Sequence, residues 1–102
     1  MPTDFANQIL KLVAQIPPGQ VTTYRILAVA SGHHHSARAV GNALNKNPEL
    51  IKIPCHRVVR SDGLVGNYRL GRTEKIKLLQ AEGIESSNGR IKDFYQHLFY
   101  FK

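Results

Sequence analysis

The chain has 102 residues, 42% of them hydrophobic and 21% charged, the size and balance of a single globular domain that needs no disulfide or metal staple. Its lone cysteine excludes an internal disulfide and suits a reducing cytoplasm, and no apolar run approaches the roughly 18–20 residues of a membrane span. With 14 Lys and Arg against 7 Asp and Glu, the net charge of +7 favours a polyanionic partner and is spread without a block that signals a disordered tail.

The start, Met1-Pro2-Thr3-Asp4, lacks a basic stretch followed by an apolar one, which argues against export. Phe5, Ile9, Leu12, Val13 and Ile16 then recur at spacings of three and four, predicting an amphipathic helix. Thr3 or Asp4 can cap it, and Pro17-Pro18-Gly19 stops it. Thr22 or Thr23 caps a second short helix through Tyr24, Ile26, Leu27 and Val29, with Gly32 as terminator. Ser36 caps a third, small-residue helix from Ala37 to about Lys46, closed by Asn47-Pro48. Two short helices across a glycine-containing turn read as a helix-turn-helix.

The character then changes. Cys55 to Val59, after Pro54, is expected as a short extended or turn segment. Ser61-Asp62-Gly63 signals a turn from which Leu64-Val65-Gly66 returns as a small hairpin. Thr73 is expected to cap a last strong helix carrying Ile76, Leu78 and Leu79, with Gly83 as its stop. Ser86-Ser87-Asn88-Gly89 reads as a polar break, and the aromatic tail to Lys102 is ambiguous, with Phe94, Leu98 and Phe101 at helix-like spacing. His33-His34-His35 reads as a run of polar residues close to phosphate rather than as metal ligands, since no cysteine lies near it in sequence.

The segment Ile53-Pro54-Cys55-His56-Arg57-Val58-Val59 resembles the Pro-Cys-His-Arg-Val signature of the O6-alkylguanine-DNA alkyltransferases. Tyr24, Ala37 to Gly41, Asn45 to Pro48, Gly66-Asn67-Tyr68 and the helix from Lys75 to Glu82-Gly83 sit at that family's spacing, so the likeness spans roughly residues 5–84. It implies the family's C-terminal domain alone: a mainly α, winged-helix-like helix-turn-helix DNA-binding domain with a short β-hairpin or extended active-site segment. Full-length members usually carry an additional N-terminal domain. Short forms are often alkyltransferase-like proteins with tryptophan or alanine at the nucleophile position, where this chain holds Cys55.

A thiolate suits displacement at an alkyl carbon, because sulfur is strongly nucleophilic even when only a minority of it is ionised. A neighbouring base or positive field is then needed at neutral pH. His56 is adjacent in sequence; in an extended segment consecutive side chains diverge, so a bridging water is the expected link. The resemblance implies Glu82 orienting His56 in a Cys–His–Glu set, Asn47 bridging the helix-turn-helix to the cysteine loop, and Tyr24 donating to an extruded base. Asn47 also reads as a plain helix cap and Tyr24 as a plain core residue. Arg38 is the implied filler of the gap in the base stack. Ser36, Ala37, Ala39 and Arg57 complete the expected DNA-facing set, and Val58, Gly66, Tyr68 and Arg69 the base pocket.

The partner implied is duplex DNA carrying O6-alkylguanine, or O4-alkylthymine, approached from the minor groove. The expected activity is one irreversible transfer to Cys55 by a monomer in the cytoplasm or nucleus, without cofactor, metal or membrane. The alternative is a lesion sensor that flags damage to excision-repair proteins without transfer.

Overall fold

The computed structural model describes residues 4–32, 37–49 and 52–101. Thr3, His33-His34-His35 and Ser36, on which some expectations fall, lie outside the described residues.

Helix α1 spans Asp4–Val13 and buries Ala6, Ile9, Leu10 and Val13, the stripe its periodicity predicts. Asp4 lies in its first turn, where a carboxylate suits the positive end of the helix dipole. A two-residue strand, β1 (Thr22–Thr23), leads straight into α2 (Tyr24–Ala30). Thr23 is the N-cap: its hydroxyl accepts from the Ile26 amide at 3.0 Å, a contact that contributes about 1 kcal/mol. After the C-cap at Ser31, Gly32 takes φ +76°, a conformation glycine adopts cheaply. Helix α3 (Ala37–Leu44) packs against both α1 and α2. The expected mainly helical, helix-turn-helix architecture is therefore present.

At the signature the chain takes the turn, one of the two expected alternatives, before it extends. Cys55–Arg57 is not extended but a single 3-10 turn, closed by Arg57 N–H to the Pro54 carbonyl at 2.9 Å. It runs into β2 (Val58–Val59), which pairs in parallel with β1, Thr22 opposite Val58 and Thr23 opposite Val59. Because strand side chains alternate, Val58 enters a core built on α1, α2 and α3, while Val59 enters a second core with Val21, Val65, Leu79 and Ile84. Both valines are fully buried, which contributes about 1.5–3 kcal/mol apiece. The short strand pair thus pins the cysteine turn between two packed cores.

Three expectations are corrected. Thr73 does not cap the last long helix, α4 (Arg72–Ala81): Gly71, at φ +96°, takes the N-cap position, and Thr73 lies inside the first turn. The Ser61–Gly63 turn is present, but the chain returning from it finds its main partner elsewhere. Val65 N–H bonds the Gly89 carbonyl, and Ile91 N–H bonds the Gly63 carbonyl. Those partners belong to a hairpin of β3 (Ser86–Ser87) and β4 (Arg90–Ile91), in the stretch read as a polar break. Asn88 and Gly89 both have positive φ, +53° and +78°, the demand of a two-residue type I′ turn that Asn-Gly meets. The tail forms only one helical turn, α5 (Phe94–His97), before Leu98 bridges in parallel to Val21.

Candidate active site and nucleic-acid interface

An open cleft of about 630 Å³ lies between α3 and the chain around residues 60–72, within the size range of small-ligand pockets. Ala37, Arg38 and Gly41 form part of its α3 side; Gly66, Tyr68 and Arg69 face them, and Tyr24 and Cys55 also line it. Cys55 is only 6% exposed and belongs to the first core, so its sulfur is walled by packing on all sides but the cleft. An electrophile reaches it only from there.

Asn47 holds that sulfur. Its amide nitrogen donates to Cys55 Sγ at 2.8 Å and to the Ile53 carbonyl at 2.9 Å, and its oxygen accepts from the Glu49 amide. The residue just past α3 therefore ties the end of that helix to the cysteine turn. Burial pushes the Cys55 thiol up from its ordinary value, and the Asn47 donor, Arg69 and Lys75 pull against that push. The resting form at neutral pH is a thiol that must lose a proton to react.

Behind the cysteine, His56 is fully buried, with Nε2 2.9 Å from Glu82 Oε2. Burial pulls the imidazole below its ordinary value, so it is neutral at neutral pH. Burial raises the Glu82 carboxyl, but hydrogen bonds from Arg57 and His56 outweigh it and hold the group below its usual range. An ionised Glu82 accepts the Nε2 proton, which leaves Nδ1 as the basic nitrogen. That Nδ1 is buried and has no hydrogen-bond partner among the described residues.

Arg57, expected in the DNA-facing set, does not line the cleft. Its Nε and Nη2 grip both oxygens of Glu82 at 2.9 and 2.7 Å, and Nη1 donates to the Ile16 carbonyl at 2.7 Å. A guanidinium is well shaped for such a two-pronged clamp, so Arg57 locks the acid that locks the histidine. Val58 likewise contributes no side chain to the cleft, because strand alternation points it into the core. Ala39 is half-buried and is not among the cleft residues, unlike Ala37.

Sequence reasoning used Lys75 only to mark a helix. Its side chain is fully buried, and Nζ donates to the carbonyls of Val58 at 2.6 Å and Asn67 at 3.0 Å. It also stands 5.8 Å from the centre of the Tyr24 ring. Desolvation brings it down to about 7, with Cys55 pulling the other way, so cation and sulfur respond to each other. A lysine three positions before a Leu-Leu pair looks like an exposed helix residue; only its place four before Leu79, on the same helix face, could have flagged it. Burial likewise raises the Tyr24 phenol, keeping it protonated and able to donate. The Tyr68 hydroxyl is buried without a partner among the described residues, although its ring lines the cleft.

Among the described residues that line the cleft are four arginines, Arg38, Arg60, Arg69 and Arg72, and no carboxylate, although Arg60 is paired with Asp62 at 2.9 Å. Arg69 also donates to the Asn45 carbonyl at 2.9 Å, crossing from the pocket loop to the end of α3. Arg60 and Arg72 were missed because their numbers fall in turn and cap positions, which carry no motif. Gly66 is required where it stands: at φ +80°, an added Cβ would lie 3.3 Å from Arg60 and 3.7 Å from Lys75 Nζ. Among the described residues no cluster of three or more His, Cys, Asp or Glu can hold a metal ion.

The chain is similar to several known proteins. The rat methylated-DNA–protein-cysteine methyltransferase is 49% identical over 90 residues, covering 86% of this chain and 43% of that protein. The crystal structure of Mycobacterium tuberculosis OGT in complex with DNA superposes with a TM-score of 0.77 at 38% identity, covering 80% of this chain and 51% of that one. The S. pombe Atl1 protein, in complex with damaged DNA containing O6-carboxymethylguanine, gives 0.79 at 29% identity and covers 99% of this chain and 100% of its own. The chain spans from 29% to 51% of the length of the curated relatives it matches. The sequence model of the 6-O-methylguanine DNA methyltransferase DNA-binding domain matches residues 4–84, and the chain belongs to that family.

Proposed function

We propose that this protein repairs alkylated DNA by taking an alkyl group from O6 of guanine onto Cys55, irreversibly and once per molecule. The observation that carries the reading is a single buried sulfur facing a basic cleft, held by Asn47 and backed by a neutral, acid-anchored imidazole. The arginine rim grips DNA phosphates, and α3 enters the minor groove with its small residues against the backbone. The damaged nucleotide is extruded into the cleft, and Arg38 fills the gap in the stack.

His56 Nδ1 takes the thiol proton through a bridging water, while Glu82 stabilises the imidazolium that forms. The thiolate attacks the alkyl carbon as the O6–carbon bond breaks. The bonding pair leaves with the guanine, and the Tyr24 phenol supplies the proton the base then needs. A thioether on Cys55 and an intact guanine are the products; no cofactor enters the balance. The test is intact mass after incubation with a duplex containing O6-methylguanine. A gain of one methyl group, mapped to Cys55 and absent in Cys55→Ser, is expected. An unchanged mass on a bound duplex overturns transfer.

That second outcome describes the alternative, a sensor that binds the lesion and leaves its removal to excision-repair proteins. The near-complete overlap with Atl1 in both directions favours it. A buried thiol placed on the cleft wall favours transfer.

A further inference from the structure

The family match ends at residue 84, yet the cleft does not. Asn88 and Gly89, at the tip of the β3–β4 hairpin, form part of its wall beside Leu64. We propose that this hairpin tip is a specificity element of the lesion pocket: a fixed wall that limits how large an O6 substituent the cleft admits. The inference deepens the reading of the cleft as a lesion pocket and rests on it.

A wall selects by size only if it cannot yield, and this one is tied through its β4 side to the segment from Asp62 to Val65. Val65 N–H bonds the Gly89 carbonyl at 2.8 Å, and Ile91 N–H bonds the Gly63 carbonyl at 2.9 Å. Arg90 adds a third tie, Nη1 to the Asp62 carbonyl at 2.6 Å. Ile91 anchors the strand in the second core. The turn itself is set by Asn88 and Gly89, residues suited to positive φ, so the tip has a preferred shape before anything binds. A methyl group directed at Cys55 ends at the sulfur. A longer substituent needs further room in the cleft, and Leu64, Asn88 and Gly89 are among the residues that bound it.

The test compares the wild type with Asn88→Gly and Arg90→Ala. Asn88→Gly removes the side chain at a φ glycine accepts, and Arg90→Ala loosens the tip while leaving its sequence intact. Affinities for duplexes carrying O6-methylguanine, O6-benzylguanine or undamaged guanine are measured in a Cys55→Ser background, so that no transfer intervenes. Melting curves verify folding of each variant. Asn88→Gly is expected to raise benzyl over methyl preference by about threefold to tenfold, and Arg90→Ala to act in the same direction more weakly. An unchanged preference in both folded variants overturns the wall, as does a wild type that binds all three duplexes equally. Transfer is read separately, by mass on the unsubstituted protein. A shifted preference with no mass gain therefore sinks transfer and leaves the wall standing.

Discussion

The floor and the rim of the cleft are built on opposite principles. The floor consists of groups withdrawn from water: Cys55 at 6% exposed, His56 at 1% and Lys75 at 0%, each tied by hydrogen bonds to a neighbour or a backbone carbonyl. The rim consists of arginines, of which Arg38, Arg60, Arg69 and Arg72 are exposed to solvent. Burial moves the proton affinity of every group on the floor, and each move depends on a specific partner. Charge on the rim acts through screened attraction, which is shared among many residues and weakened by salt. Single substitutions on the floor should therefore be severe and pH-dependent, and those on the rim mild and salt-dependent.

Glu82→Gln strikes the floor hardest. It turns one of the two accepting oxygens into an amide donor, so the His56 and Arg57 bonds can no longer all be made, and it leaves a guanidinium, only 13% exposed, without its counter-charge. Breaking a buried pair by deleting one partner costs about 3–5 kcal/mol, and the partial exposure of this one places it at the low end, about 3 kcal/mol. Transfer should slow by about a hundredfold, because the base loses its orientation and the stabiliser of its charged form. The pH dependence has a definite sign. The Glu82 carboxyl is held below its unfolded value, so its contribution is complete above the ordinary carboxylate range and is lost as pH falls through the depressed value. Denaturant midpoints from pH 7 down to 3 should show a shallower acid decline in the variant. An equally steep decline in both proteins removes Glu82 from the argument.

Much of this floor was legible in the sequence through the family resemblance, and the resemblance was visible because its signature is local. Pro-Cys-His-Arg-Val is contiguous, and helix caps at Thr23 and Gly83 are signalled by the residues themselves. Other features depend on distance in sequence. Lys75 reaches carbonyls 17 and 8 positions away, and Arg57 closes on Glu82, 25 residues on, and on Ile16, 41 residues back. No periodicity encodes such pairings, so the sequence does not show that Arg57, beside Cys55, turns inward to Glu82. The hairpin is a different failure. Asn-Gly is a strong turn signal, but the flanking strands are two residues each, too short for alternation to show.

Lys75→Met sharpens the contrast by testing electrostatics within the floor. Lys75 is among the groups that favour the thiolate, so its removal should shift the ionisation of the Cys55 thiol to higher pH, read from the pH dependence of alkylation by a small haloacetamide. The native ammonium titrates near 7 against an ordinary 10.5, so its stabilising contribution is full above the unfolded value and is lost as pH falls through about 7. Between pH 7 and 8.5 the wild type should therefore gain stability relative to the variant. A thiol that ionises at the same pH in both proteins would separate the two residues and leave Lys75 as a carbonyl clamp alone.

Arg72→Ala should produce the smallest change, because nothing in the floor depends on that residue. It stands exposed at the first position of α4 and lines the cleft mouth. If it neutralises one phosphate, its loss lowers the slope of log affinity against log salt by about 0.9, with a few-fold weaker binding at moderate salt. The thiol's pH profile and the rate of transfer at saturating DNA should stay as they were, since Arg72, unlike Arg69, is not among the charges that act on the Cys55 sulfur. Anisotropy titrations between 50 and 200 mM salt, roughly the range over which counterion release dominates, measure the slope directly. An Arg72→Ala protein with an unchanged slope but a slower saturated transfer step would mean that the rim reaches into the chemistry, and the division between the two regions would fail at that residue.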